Sequence, residues 1–458
     1  PLIKFPVWTL DDSIKFIKNY LSMKKTLLLL SLVVSGLSFG QVNRCLSNEA
    51  IQHQESLTPG YIDHVNNAFD IAKAYSNGNQ LKSNHIYTIP VVVHIVYNTP
   101  SQNLADSVIH NQIQVLNDDY QRMNADTVNM RSDFDIVKGS PQIRFKLAEV
   151  DPNGLATDGI TRTFTTIPMF GAPLTLIGDV TDLERVKSSV DGGIDPWDQS
   201  RYLNIWVCDM SVDLFGSILT SILGYATPPT GLPNWPPGTI NGLGDGVVIQ
   251  YHSFGSNNPN PLDQGSGVLD FRGRTAVHEV GHYLGLRHIW GDGDCTEQDG
   301  IDDTPNAVDK SNFDCDPAKN TCTDNIQGVD LPDMIENYMD YSAETCQNSF
   351  TQGQVDLMHG VLENQRYDLV HNNPASISEL NMSNWNVSPN PATNEISING
   401  IDGTANLSLF TTSGQLVGQF GLDNENGTID ISHLEAGLYI LKLSENDYFT
   451  ETKRLIIR

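Results

Sequence analysis

Along most of its length the chain alternates short apolar runs with polar punctuation, and Ile89 to Tyr97 is the first run that reads as a buried strand. Behind it Ile109, Ile113, Leu116 and Tyr120 recur at intervals of four, three and four, which places them on one helix face. Ile143 to Val150, Tyr202 to Cys208 and Gly246 to Gln250 read as further strands ahead of a helix that carries His278. Strands interleaved with helices over this span predict an α/β (α+β) domain, a mixed twisted sheet with packed helices. A helix beginning near Thr351, where Thr351 and Gln354 form a capping box, closes this unit. Polarity then rises from His371 to Ser388, and Pro389-Asn390-Pro391 opens a second unit. Its short alternating runs are Glu395 to Ile398, Leu407 to Phe410, Thr428 to Ile431, Gly437 to Leu443 and Lys453 to Ile457. They predict a small C-terminal β-sandwich.

The first eighty or so residues follow a different logic. Met23-Lys24-Lys25, an apolar run from Leu27 to Leu37 and then Ser38-Phe39-Gly40 read as a signal peptide over 23–40. The run is too short to span a bilayer, and Arg44 directly before Cys45 argues against a lipid anchor. Residues 1–22 read as a start site placed too early. Residues 41–84 are polar with scattered helix-like stretches, and read as a pro-segment. The organisation expected after it is a main α/β domain over 85–373, a linker over 374–388 and the sandwich over 389–458.

With 458 residues there is room for two or three domains, and 27 basic against 55 acidic residues give a net charge of −28. Such a chain repels phosphate backbones and anionic lipid, so nucleic acid is excluded as a partner. The excess carboxylate keeps an exported protein soluble, and it also supplies oxygen ligands for calcium. Export changes the reading of the six cysteines. Cys295, Cys315, Cys322 and Cys346 are close enough in sequence for two disulfides, with three pairings possible, while Cys45 and Cys208 stand apart and unpaired.

The chemistry concentrates in His278-Glu279-Val280-Gly281-His282-Tyr283-Leu284-Gly285-Leu286-Arg287-His288. Residues four apart share a helix face, so His278 and His282 can aim at one ion. Gly285 can adopt the left-handed conformation that ends the helix and returns His288 as a third nitrogen ligand. Three imidazoles with an open fourth position suit catalytic zinc, and Glu279 is placed to take the proton of an attacking water. A bare H-E-x-x-H occurs on many helices by chance, but the turn glycine and third histidine at fixed offsets in an exported chain are far more restrictive.

At these residues the chain resembles the metzincin metallopeptidases, whose zinc motif is followed by a methionine-containing turn. Asn337-Tyr338-Met339-Asp340-Tyr341, Asp303-Thr304-Pro305 and the four clustered cysteines make it similar to the pappalysin family in particular, over roughly residues 86–372. The resemblance implies a secreted zinc endopeptidase acting on proteins or peptides. It implies that Met339 supports the histidines from below, that the Tyr341 hydroxyl stabilises the tetrahedral intermediate, and that the disulfides are Cys295 with Cys322 and Cys315 with Cys346. Relatives bind calcium in the stretch containing Asp292, Asp294, Asp299, Asp302, Asp303 and Thr304, with Asp299, Asp303 and Thr304 the best candidates here. Some relatives cut beside arginine using an acidic residue in the segment that here reads Ser342-Ala343-Glu344-Thr345; Glu344 is the candidate, but Thr345 beside Cys346 leaves no side-chain preference assigned.

Related zymogens are silenced by a cysteine on the zinc, and Cys45 is the candidate zymogen ligand, although Leu46 follows it where glycine is expected. The tail, from Pro389-Asn390-Pro391 through Gly437-Leu438-Tyr439 to a basic and apolar finish, resembles the sorting domain of type IX secretion substrates. That implies export through the periplasm to the cell surface or medium, with the secretion machinery as a partner. Two other classes compete: a surface adhesin with structural zinc and calcium, and a zinc hydrolase acting on a non-peptide bond. Glu279 beside an open coordination site argues against the first, and the methionine turn against the second.

Overall fold

The computed structural model describes residues 43–78, 85–220, 222–231, 244–263, 267–371, 386–399, 405–411, 416–422, 427–445 and 448–458. The expected signal peptide lies outside the described residues. The chain enters as a three-residue strand β1 (Asn43–Cys45), followed by helices α1 (Ser47–Leu57) and α2 (Tyr61–Gly78). Then come β2 (Tyr87–Tyr97), α3 (Asp106–Tyr120), β3 (Lys138–Gly139), β4 (Ile143–Leu147), β5 (Ile160–Phe164) and β6 (Leu203–Cys208). A hairpin of β7 (Val212–Leu214) and β8 (Ser217–Leu219) leads into β9 (Ile222–Ala226) and β10 (Val247–Gln250). The helix α4 (Arg274–Tyr283) carries the histidines, and β11 (Phe350–Thr351), α5 (Gln352–Leu362) and α6 (Tyr367–His371) complete the unit.

The main sheet runs β1-β9-β10-β6-β2-β4, with β5 continuing the β4 edge of β2. Pairings among β10, β6, β2, β4 and β5 are parallel, whereas β9 runs antiparallel to β10, so the sheet is mixed. Side chains alternate across it as a pleat requires. Leu203, Ile205 and Val207 of β6 join the core with α3, α4 and α5, while Trp206 and Cys208 point into the separate core on the opposite face. Cys45 belongs to the first core and Cys208 to the second, which is why the two remain free and buried thiols. The turn that starts α5 is as expected, Thr351 accepting from Gln354 N–H in a capping box.

β1 is the outermost strand of the main sheet and covers the free edge of β9. Asn43 and Cys45 pair in parallel with Ile222 and Gly224. The segment's two helices then pack on the unit, with Phe69 and Ala72 of α2 in its main core.

C-terminal to this, a three-stranded antiparallel sheet, β12 (Asn386–Ser388), β13 (Glu395–Asn399) and β16 (Thr428–Asp430), faces a four-stranded one, β15 (Leu416–Leu422), β14 (Ala405–Thr411), β17 (Gly437–Glu445) and β18 (Tyr448–Ile457). One core containing Ile396, Leu407, Leu441 and Leu455 lies between them, as in a sandwich. The sheet starts at Asn386, ahead of the proline pair, because Val387 contributes an inward side chain.

Candidate active site

α4 begins after Gly273, whose φ of +79° is the left-handed turn that swings the chain into the helix. Its first residue, Arg274, is buried and bound to Asp119, Asp126 and the Glu344 carbonyl, which ties the helix to α3 and to the loop after Tyr341. One turn on, His278 and His282 share a face. Gly285, at φ +93°, ends the helix and brings His288 back.

Each imidazole is fixed through Nδ1. His278 donates to the Tyr338 carbonyl at 2.7 Å, His282 to the Leu286 carbonyl at 2.9 Å, and His288 to Asp292 Oδ1 at 2.7 Å. A proton on Nδ1 leaves a bare lone pair on Nε2. His282 Nε2 stands 3.1 Å from His278 Nε2 and 3.0 Å from His288 Nε2. Lone pairs converging this closely repel unless a cation lies among them, and burial together with the neighbouring imidazoles pushes the pKa of His278 and His282 down. The donor set is that of a catalytic zinc site, and the residues fit the ion.

Met339 lies buried under α4, and Gly281 is what permits the approach: a Cβ there would stand 2.4 Å from Met339 Sδ. Trp290 stacks on His288 with ring centroids 4.3 Å apart. Glu279 is fully buried, and burial raises its pKa to about 8. Gly224 of β9 leaves the space it occupies, since a Cβ would come 2.6 Å from Glu279 Cγ.

Cys45 completes the cluster, its sulfur and the three histidine nitrogens all lying within 4.8 Å of one another. Around it, the Ser47 N–H and hydroxyl approach Cys45 Sγ at 3.3 and 3.1 Å, and the Tyr341 hydroxyl donates to the Cys45 carbonyl at 3.3 Å. Arg44 projects beyond it, donating to the Ser342 carbonyl, lying 4.8 Å from the Phe313 ring and pairing with Glu344 at 3.5 Å. Glu344 is buried and also accepts from the Arg274 and Thr275 N–H groups at 3.0 and 2.8 Å.

Cys295 is bonded to Cys322 and Cys315 to Cys346. The acidic stretch does not act as one cluster. Asp292 is spent on His288, a role that the four-residue spacing from a histidine could have signalled, and Asp302 pairs with Lys73 at 2.8 Å. Asp299 Oδ2 and Asp303 Oδ1 are buried without a hydrogen-bond partner, and burial raises the Asp299 pKa to about 7. Thr304 lies buried beside Thr351.

Against known proteins, residues 268–363 match the pregnancy-associated plasma protein-A peptidase family, and residues 386–458 match a secretion system C-terminal sorting domain. An extracellular metalloprotease of Arthroderma benhamiae is 30% identical over 304 residues, 65% of this chain and 79% of that protein. The chain belongs to the pappalysin family. Mature mirolysin of Tannerella forsythia in complex with a cleaved peptide superposes with TM-score 0.52 at 41% identity, over 63% of this chain and 96% of that one. A promirolysin mutant of the same organism gives TM-score 0.56 at 37% identity, over 72% and 97%. This pappalysin is an extracellular zinc metalloprotease with a zymogen form, and its tail is a sorting domain. Among the described residues no helix is long and apolar enough to cross a membrane.

Proposed function

We propose that the chain is an endopeptidase in which His278, His282 and His288 hold the zinc, Glu279 is the general base, and Tyr341 steadies the developing oxyanion. The observation that carries this reading is the convergence of three Nδ1-anchored imidazoles beside one buried carboxylate. Zinc held by these three histidines would supply polarisation of the substrate carbonyl and acidification of an attacking water. Glu279 takes the proton from that water and hands it to the leaving amine. The Tyr341 phenol, once the Cys45 carbonyl has left it, is free to donate to the oxyanion.

Residues 43–78 are read as part of a pro-segment over 41–84, with Cys45 sulfur as fourth zinc ligand in the latent form. The catalytic domain spans 85–373, and the tail engages the type IX secretion machinery on the way to the cell surface or medium. Asp299, Asp303 and Thr304 are assigned to a structural calcium ion, the two orphaned carboxylate oxygens being the support.

The test is Glu279→Ala in enzyme freed of its pro-segment. Fold and zinc content should be retained while peptide hydrolysis falls by about 10²–10⁴-fold. A zinc-loaded variant with wild-type turnover would overturn the mechanism.

A further inference from the structure

The N-terminal segment is held at two separate places. At the front, β1 lies on β9 with Cys45 at the histidines and Arg44 against Glu344. At the back, α2 is set into the surface formed by α5 and the loop around Gly300. Between the two anchors lies a cavity of about 920 Å³, lined among others by His53 and Phe69 of the segment and by His282 and Asp292 of the enzyme.

The back contact is built for a helix. A Cβ on Gly360 would stand 2.2 Å from the Ala72 carbonyl oxygen, so α2 and α5 touch backbone to backbone with two small residues at the crossing. A Cβ on Gly300 would meet the Phe69 ring at 2.9 Å, and the Arg287 guanidinium covers the same ring at 4.1 Å. Polar bonds fix the register. Lys73 donates to the Gly300 carbonyl at 2.7 Å and pairs with Asp302 at 2.8 Å, Arg287 donates to Asn66 at 3.0 Å, and Gln365 to the Ala68 carbonyl at 3.2 Å.

Both anchors precede any cut made between residue 78 and β2. We propose that the excised pro-segment stays on the enzyme as a non-covalent, bidentate inhibitor, and that the surface around Gly360, Gly300 and Arg287 is its second docking site. Each anchor keeps the other at a high effective concentration, so scission alone does not release the cleft. Activation then requires dissociation or further degradation of the segment. This rests on reading residues 43–78 as a pro-segment.

The test uses the full chain carrying a cleavable sequence between residues 78 and 87, cut by the matching protease. The pro-segment is expected to co-elute with the enzyme in size exclusion, and hydrolysis of a fluorogenic peptide should appear only on dilution. Phe69→Ala should raise the apparent inhibition constant by about 30-fold or more, while turnover after removal of the pro-segment is unchanged because residue 69 leaves with it. Lys73→Glu, at a half-buried site, should weaken retention in the same direction and serves if Phe69→Ala does not fold. Separate elution of the pro-segment, with full activity at every concentration directly after the cut, overturns the proposal. Co-elution is read without any assay, so an enzyme inactive even without its pro-segment would refute the catalytic reading and leave this test intact.

Discussion

The sulfur of Cys45 lies 3.3 Å from Glu279 Oε2, and that same oxygen takes the Ser47 hydroxyl at 3.2 Å. The segment therefore meets the histidine cluster and Glu279 at once, with Ser47 also accepting from the Ala226 N–H of β9 at 2.9 Å. In the uncleaved chain, Cys45→Ala should produce measurable peptide hydrolysis where the wild type is silent. Equal silence of both chains would show that the thiol is dispensable for latency.

Tyr341 is reached by a different variant. Its phenol is buried and donates to the Cys45 carbonyl of the N-terminal segment. In enzyme freed of the segment, Tyr341→Phe should lower kcat by about 10²-fold with KM little changed, the usual cost of one oxyanion donor. A loss confined to KM would make the tyrosine a binding residue.

Asp292 holds His288 in its orientation through Nδ1. Asp292→Ala should weaken zinc retention by about 10–100-fold in competition with a chelator, with the fold preserved by circular dichroism. Unchanged zinc affinity would assign the aspartate to the loop alone.

Much of this was legible in the sequence because it is local. The helix periodicity of Ile109 to Tyr120, the offsets of His278, His282, Gly285 and His288, and the capping box at Thr351 each occupy a few consecutive turns. β9 was not legible: Ile222-Leu223-Gly224-Tyr225-Ala226 has glycine at its centre and owes its burial to β1 and β10 rather than to alternation. β5 reads Ile160-Thr161-Arg162-Thr163-Phe164, too polar to stand out from a loop. The helices of the N-terminal segment read as scattered because Ala68 and Ala72, the residues at the contact, carry little hydrophobic signal. Arg44 and Ser47 gained meaning only once the fold had brought them to Glu344 and Glu279.

His94 sits fully buried in β2 between Thr161 and Asn204, and burial lowers its pKa to about 4. Its unfolded value is near 6.5, so between pH 6.5 and 4 the unfolded chain binds a proton that the folded one refuses. Stability contributed by neutral His94 is complete above pH 6.5 and lost as pH falls to 4, by about 3 kcal/mol. Urea unfolding across this window should show His94→Asn losing less stability than the wild type. Parallel profiles would place the titration elsewhere.

The most direct measurement is zinc K-edge X-ray absorption on the intact chain and on enzyme freed of its pro-segment. One sulfur at about 2.3 Å with nitrogen ligands at about 2.0–2.1 Å is expected in the intact chain, and the sulfur should be lost as activity appears. A zinc shell of nitrogen and oxygen alone in the intact, silent chain would contradict that expectation.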